Sequence, residues 1–390
     1  MYEFCENWSM NARIEVSPEL LAWARQRSGL PFDDLAQRFP KLAAWERGEQ
    51  APTFKQLESY AQATHTAIGF FFLPAPPEDR IPIPDYRTMR DAGVTRPSAD
   101  LLDTIYQCEQ RQDWYRDYAV LNREGPVDVV GSLTTSMSPV EAASVMRTAL
   151  RFDIDHRGST WADAFSILTE HAEELGVLVM VNGVVGNNTH RKLNPREFRG
   201  FALADQMAPL AFINGADTKA AQIFTLVHEL AHLWLGGTAL DDGDPAATTG
   251  ADVERWCSQV AAEVLVPLPS LLAELGPGEP TTATFERLAR RFKVSTLVIV
   301  RRIYDAGGLD LAGYRAAYDA EWQRIMALVS GRGSTGGNFF NVQPTRAGKR
   351  FTRAVVTSAL EGQTLYRDAL QLLGIKKVCQ GTSGSAQWRS

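Results

Sequence analysis

The chain has 390 residues, of which 45% are hydrophobic and 22% are charged, and its formal net charge is −6. These values are typical of a globular protein with two or three domains. No apolar run reaches the length of a membrane span, and the first residues lack the basic and apolar segments of an export signal, so we expect a cytoplasmic protein with no membrane partner. Four scattered cysteines exclude a disulfide framework and a cysteine-rich metal cage.

The N-terminal residues 1–73 are expected to form a small helical bundle. Ser17 and Pro18 are typical of the first residues of a helix, and glycines and prolines separate the short segments that follow. The run Trp45-Glu46-Arg47-Gly48, with Pro52-Thr53 after it, resembles the signature that follows the recognition helix of XRE/Cro-type helix-turn-helix domains.

This resemblance is incomplete in the region that would read DNA. Only residues 37–44 separate Leu35-Ala36 from Trp45-Glu46, about four fewer than a full recognition helix needs. The first 80 residues also hold 8 Lys and Arg against 11 Asp and Glu, a poor balance for a duplex partner. We therefore expect dimerisation or docking of another protein here, with DNA reading as the alternative.

A proline-rich linker is expected at 74–97, because prolines at this density prevent a regular helix and favour an extended chain. A long helix is predicted from about 98 to 121, with Trp114, Tyr115 and Tyr118 as core anchors. Further elements are expected in the order helix, helix, strand, at 139–151, 160–175 and 177–181.

The most informative motif is His228-Glu229-x-x-His232, within the apolar segment 224–235. Two histidines four residues apart lie on one face of a helix, so both imidazoles can reach one tetrahedral Zn²⁺. Glu229 projects beside them, placed to polarise a metal-bound water. The alternative is a histidine pair in the core that bonds to backbone groups.

A zinc site needs a third ligand, and Glu254 is the candidate. The run 252–267 reads as a helix with small and apolar residues on the side that Glu254 shares. Ser258, one turn later, is placed to bond a ligating histidine. Glu263 is the rival ligand, although nine residues separate it from Glu254 and put it on the opposite side of an ideal helix. Cys257 is expected to be a small core residue, with oxidation sensing as the alternative.

These two segments resemble the ImmA/IrrE metallopeptidases, whose helices read F-T-x-x-H-E-x-x-H-x-x-L and then E-x-x-A-N-x-F-A-A-E-L-L-M-P. Here Cys257, Ser258 and Val260 replace the usual Ala, Asn and Phe. The residues at 199–203 and 209–214 also fit the strand pair that precedes the zinc helix in the family. The resemblance covers about 165–306 and implies a gluzincin-like zinc endopeptidase domain over 98–330, of a kind often tied to regulators of stress response or mobile elements.

The mechanism implied is attack of water on a peptide carbonyl, with Glu229 taking the proton and delivering it to the leaving amine. The strand Leu210, Ala211, Phe212 and Ile213 is a candidate substrate site, because an extended peptide can add to a strand edge. A buried core strand is an equally expected reading of the same residues.

A second helix-turn-helix-like pattern at 281–306 matches the helical extension that follows the peptidase core in these relatives. Its cations Arg290, Arg291, Lys293 and Arg301 are the candidate DNA contacts. From residue 281 onward the chain has 17 Lys and Arg against 7 Asp and Glu, so any nucleic-acid footprint is expected in this part. The alternatives are that this basic part packs on the acidic remainder, and that the apolar run 297–300 buries its helix.

The C-terminal region 331–390 is expected to be basic and helical. A Gly/Ser-rich joint at 330–338 comes first, a helix is predicted at 350–373 with Gly374 as its stop, and the last dozen residues from Cys379 are expected to fray.

The sequence thus predicts a mostly helical α+β protein with an N-terminal helix-turn-helix-like bundle, a zincin-like core and a C-terminal helical extension. One functional hypothesis is a regulatory zinc endopeptidase whose helical modules recruit a protein substrate such as a repressor. The other is an antitoxin-like or transcription-regulating DNA-binding protein that neutralises a toxin and carries a weak or vestigial peptidase site. A homodimer is compatible with both hypotheses.

Overall fold

The computed structural model describes residues 13–77, 97–237, 249–276, 278, 280–330 and 346–375. The chain divides into two units, Met1–Ile105 and Tyr106–Ser390. Most of the expected linker at 74–97, the Gly/Ser-rich joint and the tail lie outside the described residues. The prediction of a mostly helical α+β protein is confirmed.

The first unit is a bundle of short helices. Thr53 forms a capping box with Gln56 at the start of the fourth helix, and Gly29 ends the first in a left-handed conformation. Tyr60 lies at the centre of its core and donates a hydrogen bond to the Leu21 carbonyl. The helices are α1 (Pro18–Ser28), α2 (Phe32–Arg38), α3 (Leu42–Glu46) and α4 (Phe54–Ala63), followed by a 3-10 turn at Ile68–Phe72.

The third helix of this bundle, α3, has only five residues. Two of them, Leu42 and Trp45, are buried in the core of the unit. This short helix agrees with the shortened recognition region expected from the sequence. Whether the unit is a helix-turn-helix domain by descent stays a prediction.

A long helix, α5 (Ala99–Leu121), crosses the division between the units, and the second unit continues with a small sheet and many helices. Capping boxes at Ser138 and Thr160 start two of these helices, where each side chain accepts a hydrogen bond from a backbone N–H. The helices before the sheet are α6 (Pro139–Ala149) and α7 (Trp161–Glu174), with a 3-10 turn at Ile154–His156 between them. The strands are β1 (Leu178–Asn182), β2 (Val184–Val185), β3 (Asn188–Lys192), β4 (Gly200–Leu203) and β5 (Leu210–Asn214). After the sheet come α8 (Lys219–Leu235), α9 (Thr249–Leu265), α10 (Leu268–Glu274), α11 (Thr282–Phe292), α12 (Thr296–Asp305), α13 (Leu311–Ser330), α14 (Lys349–Leu360) and α15 (Tyr366–Leu372).

The main sheet has the order β1-β5-β4, with β5 parallel to β1 and antiparallel to β4. The strands β2 and β3 form a separate antiparallel pair. On one face of the main sheet, Val179, Val181, Ala211 and Ile213 join a continuous core with α7, α8 and α9. The alternate residues belong to the other face, where Arg111 of α5 approaches the Met180 sulfur at 3.6 Å.

The expected single helix at 350–373 is wrong, because two helices, α14 and α15, occupy this stretch. Gly362 adopts φ +75° between them, a left-handed conformation that an α-helix does not contain. The side chains of Ser358 and Thr364 close the turn with a hydrogen bond. In the helix-turn-helix-like extension, Ser295 caps α12 by accepting a hydrogen bond from the Val298 N–H.

Among the described helices, none is by itself long and apolar enough to cross a membrane. Only α9 from Asp252 together with α10, a pair bent by 46°, reaches that length and apolarity.

Candidate metal centre and peptidase site

The helix α8 carries the His-Glu-x-x-His motif through the middle of the second unit. Thr218 starts it by accepting a hydrogen bond from the Ala221 N–H, and Gly236 ends it in a left-handed conformation. Almost every side chain of its second half is buried, including His228 and Glu229. Burial removes competing water from these polar groups and fixes their directions through packing.

The helix α9 packs against α8 and brings Glu254 to the two imidazoles. Glu254 Oε2 lies 3.2 Å from His228 Nε2, and Glu254 Oε1 lies 3.0 Å from His232 Nε2. The two Nε2 atoms are 3.2 Å apart. Three side chains from two helices therefore point their donor atoms at one another.

This donor set fits zinc. Ligands about 2.0–2.1 Å from a tetrahedral Zn²⁺ lie about 3.3 Å from each other, close to the separations found here. Two nitrogen donors and one carboxylate are a set used by catalytic zinc sites, which leave the fourth position to water or substrate. Among the described residues, these three side chains form a group that could hold a metal ion, because their ligand atoms all lie within 4.8 Å of one another.

When no cation is bound, the protonation of each of the three groups depends on its neighbours in the site. Burial lowers the pKa of His232, but its hydrogen bonds to Cys257 and Glu254 outweigh this and raise the pKa to about 10. Burial raises the pKa of Glu254, yet its hydrogen bonds to the two histidines bring that pKa well below its ordinary value. A cation bound here would take the place of these protons, so metal binding releases them.

Two residues of α9 next to Glu254 support the histidines. Ser258 Oγ lies 3.5 Å from His228 Nδ1, at the outer limit of a hydrogen bond. Cys257 is fully buried and faces His232, and burial raises the pKa of its thiol. The thiol is thus a weakly acidic neighbour of the metal site that packs as a core residue.

The rival ligand, Glu263, is used elsewhere. Its carboxylate forms a buried ion pair with Arg302 of α12 and accepts a hydrogen bond from the Leu268 N–H. Arg302 also donates to the Val266 carbonyl at 2.8 Å. This network fastens the end of α9 to α10 and α12, on the side of α9 away from the imidazoles.

A residue that sequence reasoning missed lies directly beside Glu229. A Cβ on Gly200, at the start of β4, would lie 3.2 Å from Glu229 Oε1, 2.7 Å from Thr225 Cγ2 and 2.6 Å from the Phe212 carbonyl oxygen. Only a residue without a side chain lets β4 pass so close to α8. A glycine at the start of a predicted strand is the signal that would have pointed to this contact.

The expectation that Leu210, Ala211, Phe212 and Ile213 bind substrate by strand addition is wrong. These residues form β5, which is paired on both sides, with β1 and with β4. A central strand has no free N–H or C=O groups to offer a peptide. The alternative reading, a buried core strand, describes β5, whose residues are all buried.

The four candidate DNA contacts in the helical extension all have partners within the same unit. An arginine or lysine held by a carboxylate or carbonyl of its own chain is less available to a phosphate. The apolar side of α12 is also buried, through Ile299, Val300 and Ile303. DNA binding here stays a prediction, and these contacts count against it. The partners are Glu286 for Arg290, Asp155 and Glu274 for Arg291, the Ser159 carbonyl for Lys293, and Asp305 for Arg301.

Two arginines of the first unit are also paired with carboxylates. Arg25 makes a two-pronged contact with Glu46, at 2.7 and 3.0 Å, and Arg47 pairs with Glu49. An arginine held by a carboxylate of its own chain is less available to a phosphate.

Comparison with known families gives two matches. Residues 347–380, which include α14 and α15, match a domain of unknown function (DUF8813). In a search of curated proteins, no match to this chain was found. Residues 172–304 match a peptidase family model described as the IrrE N-terminal-like domain. The segment that holds His228, Glu229, His232 and Glu254 is therefore similar to a peptidase domain of the IrrE type.

Proposed function

We propose that the chain is a regulatory zinc-dependent endopeptidase of the ImmA/IrrE type. The observation that carries this proposal is the meeting of His228, His232 and Glu254 at one point, with Glu229 on the same helix. The match of residues 172–304 to a peptidase family supports the same reading.

The residues that would hold Zn²⁺ are His228, His232 and Glu254. When bound there, zinc supplies a Lewis acid that polarises a carbonyl and makes water more acidic. Glu229 is assigned the proton transfer, because it is buried on the same helix as the two histidines and its charge acts on His232. It takes a proton from the attacking water and returns it to the leaving amine. Ser258 orients the His228 ring through its other nitrogen.

We propose that the substrate binds along β4 instead of β5. Asn214 N–H donates to the Arg199 carbonyl, so in this antiparallel ladder the pairs 199/214, 201/212 and 203/210 are the hydrogen-bonded ones. The N–H and C=O groups of Gly200 and Ala202 therefore face away from β5, and no described strand pairs with that edge. A peptide that adds here would run past Glu229, whose Oε1 would lie 3.2 Å from a Cβ on Gly200.

A protein target is the partner that these features favour. The short α3 and the paired cations of both helix-turn-helix-like segments argue against DNA as the main ligand. We therefore infer that the first unit recruits a regulatory protein, such as a repressor or toxin, or a second copy of the chain, in the cytoplasm. Neutralisation of a toxin with a vestigial zinc site remains the second hypothesis, and peptidase activity separates the two.

The experiment compares zinc content and peptide cleavage in the full chain and in matched variants on α9. Glu254→Gln is expected to lose zinc, because an amide is a much poorer zinc ligand than a carboxylate. Asp252→Asn is the control, since Asp252 lies on the same helix but is exposed and pairs with Arg255. Zinc is measured by mass spectrometry, and cleavage with a mixture of internally quenched peptides.

A full complement of zinc in Glu254→Gln would overturn the proposed ligand set. Normal zinc without cleavage of any peptide or of candidate repressors by the unmodified protein would favour the vestigial site instead.

A further inference from the structure

A cavity lies in the second unit, away from the metal donors. It has a volume of about 210 Å³ and is lined by Phe165, Thr169 and Glu173 of α7, Val179 of β1, Lys219 of α8 and Lys349 of α14. Pockets for drug-sized ligands usually occupy about 300–1,000 Å³, so this cavity suits a smaller molecule.

The ammonium group of Lys219 is the unusual feature of this cavity. It lies 4.5 Å from the centre of the Phe165 ring and donates to Gln222 Oε1 at 2.9 Å. No carboxylate among the described residues forms an ion pair with it. Burial lowers the pKa of this group, as expected for a cation that lacks a counter-charge.

The two carboxylates of the cavity are already engaged. Glu173 Oε1 accepts the Arg350 N–H at the start of α14, at 3.1 Å, and Glu170 lies 3.7 Å from Lys349 on the exposed rim. Neither carboxylate is therefore placed to neutralise Lys219.

We propose that this cavity binds a small organic carboxylate with an apolar body. The ligand carboxylate would form an ion pair with Lys219. Its apolar part would lie against Phe165 and Val179, which both line the cavity. The single ammonium of Lys219 balances one negative charge, which favours a carboxylate over a doubly charged phosphate.

The site is independent of the peptidase chemistry, although Lys219 is the first residue of α8. At 1.5 Å per residue, nine residues place His228 about 14 Å further along the same helix. A ligand in this cavity therefore rests on the element that carries the metal donors, but touches none of them.

The test is a ligand-observed NMR titration of the full-length, zinc-loaded protein with benzoate, and with benzyl alcohol as a neutral probe of similar shape. Benzoate is expected to bind saturably, with a Kd of about 1 mM or below. Lys219→Met keeps the apolar stem and removes the charge, so it should weaken benzoate binding at least about tenfold while changing benzyl alcohol binding little.

Two further variants separate the cavity from general charge attraction. Ser166→Trp places a ring at the exposed rim of the cavity and should abolish binding of both probes. Lys349→Met removes the exposed rim lysine and should change benzoate binding less than about twofold. The proposal is overturned if benzoate binds no better than benzyl alcohol, if Lys219→Met or Ser166→Trp leaves its binding intact, or if Lys349→Met weakens it as much as Lys219→Met. Ser166→Trp leaves Lys219 in place, so the test survives if Lys219→Met fails to fold.

Discussion

Replacing Gly200 by alanine tests how closely β4 must pass the zinc helix. The new methyl carbon would lie 2.6 Å from the Phe212 carbonyl oxygen and 2.7 Å from Thr225 Cγ2. The first of these atoms is backbone in the centre of the sheet and cannot swing away, so β4 itself has to shift outward. Overpacking of this kind costs about 1–3 kcal/mol. For a unit of this size, each kcal/mol lowers Tm by about 2–4 °C.

The same shift moves the substrate edge away from Glu229, whose Oε1 would lie 3.2 Å from the methyl carbon. A displacement near 1 Å at a reacting centre can cost about a hundredfold in rate. We therefore expect Gly200→Ala to retain zinc, to unfold at a lower temperature, and to lose about 10- to 100-fold in kcat/KM for peptide cleavage. Zinc content, thermal unfolding and cleavage of quenched peptides measure the three effects.

Gly125→Ala is the matched control for this substitution. Gly125 has nothing within 4 Å of the position where a Cβ would stand, and its φ is not positive. It should leave Tm and activity within experimental error. If Gly200→Ala were as stable and as active as the unmodified protein, the close passage of β4 over Glu229 would not matter for either property.

Three further predictions concern the supports of the site. Ser258→Ala should weaken zinc binding about 10- to 100-fold in a chelator competition, because His228 loses its orienting contact; unchanged affinity would remove Ser258 from the site. Arg302→Met should lower the free energy of unfolding in urea by about 3–5 kcal/mol, because the substitution leaves the Glu263 carboxylate buried without its ion pair. The zinc content should stay normal, and a loss of zinc would instead link Glu263 to the metal. In the metal-free protein, the raised pKa of His232 stabilises the folded state, and this contribution is complete below about pH 6.5 and is lost as pH rises towards about 10. The free energy of unfolding in urea should therefore fall over this range, and a flat pH profile would contradict the prediction.

The features that could be predicted from sequence are those that depend on local periodicity. The motif at His228 and His232 lies within α8, and Glu254 meets it from α9 because the apolar pattern of each helix fixes the face that it turns to its neighbour. The cap at Ser295 and the short α3 are likewise properties of a few adjacent residues. These features can be predicted from neighbouring residues, without knowing which distant segments of the chain pair with each other.

The features that escaped prediction depend on long-range pairing. The apolar run of β5 suits a central strand and an edge strand equally, and only its pairing with both β1 and β4 decides between them. The role of Gly200 follows from the close approach of β4 to α8, which no local pattern encodes. Asp155 and the Ser159 carbonyl, which Arg291 and Lys293 contact, lie more than a hundred residues earlier in the chain, so the basic character of this segment could not show that these side chains are paired.

Zinc-edge X-ray absorption on the zinc-loaded protein is the most direct measurement of the ligand set. Coordination by His228, His232 and Glu254 predicts a first shell of nitrogen and oxygen alone, at about 2.0–2.1 Å. A sulfur neighbour at about 2.3 Å would mean that Cys257, which lies against His232, is the ligand in place of Glu254, and would contradict the proposed centre.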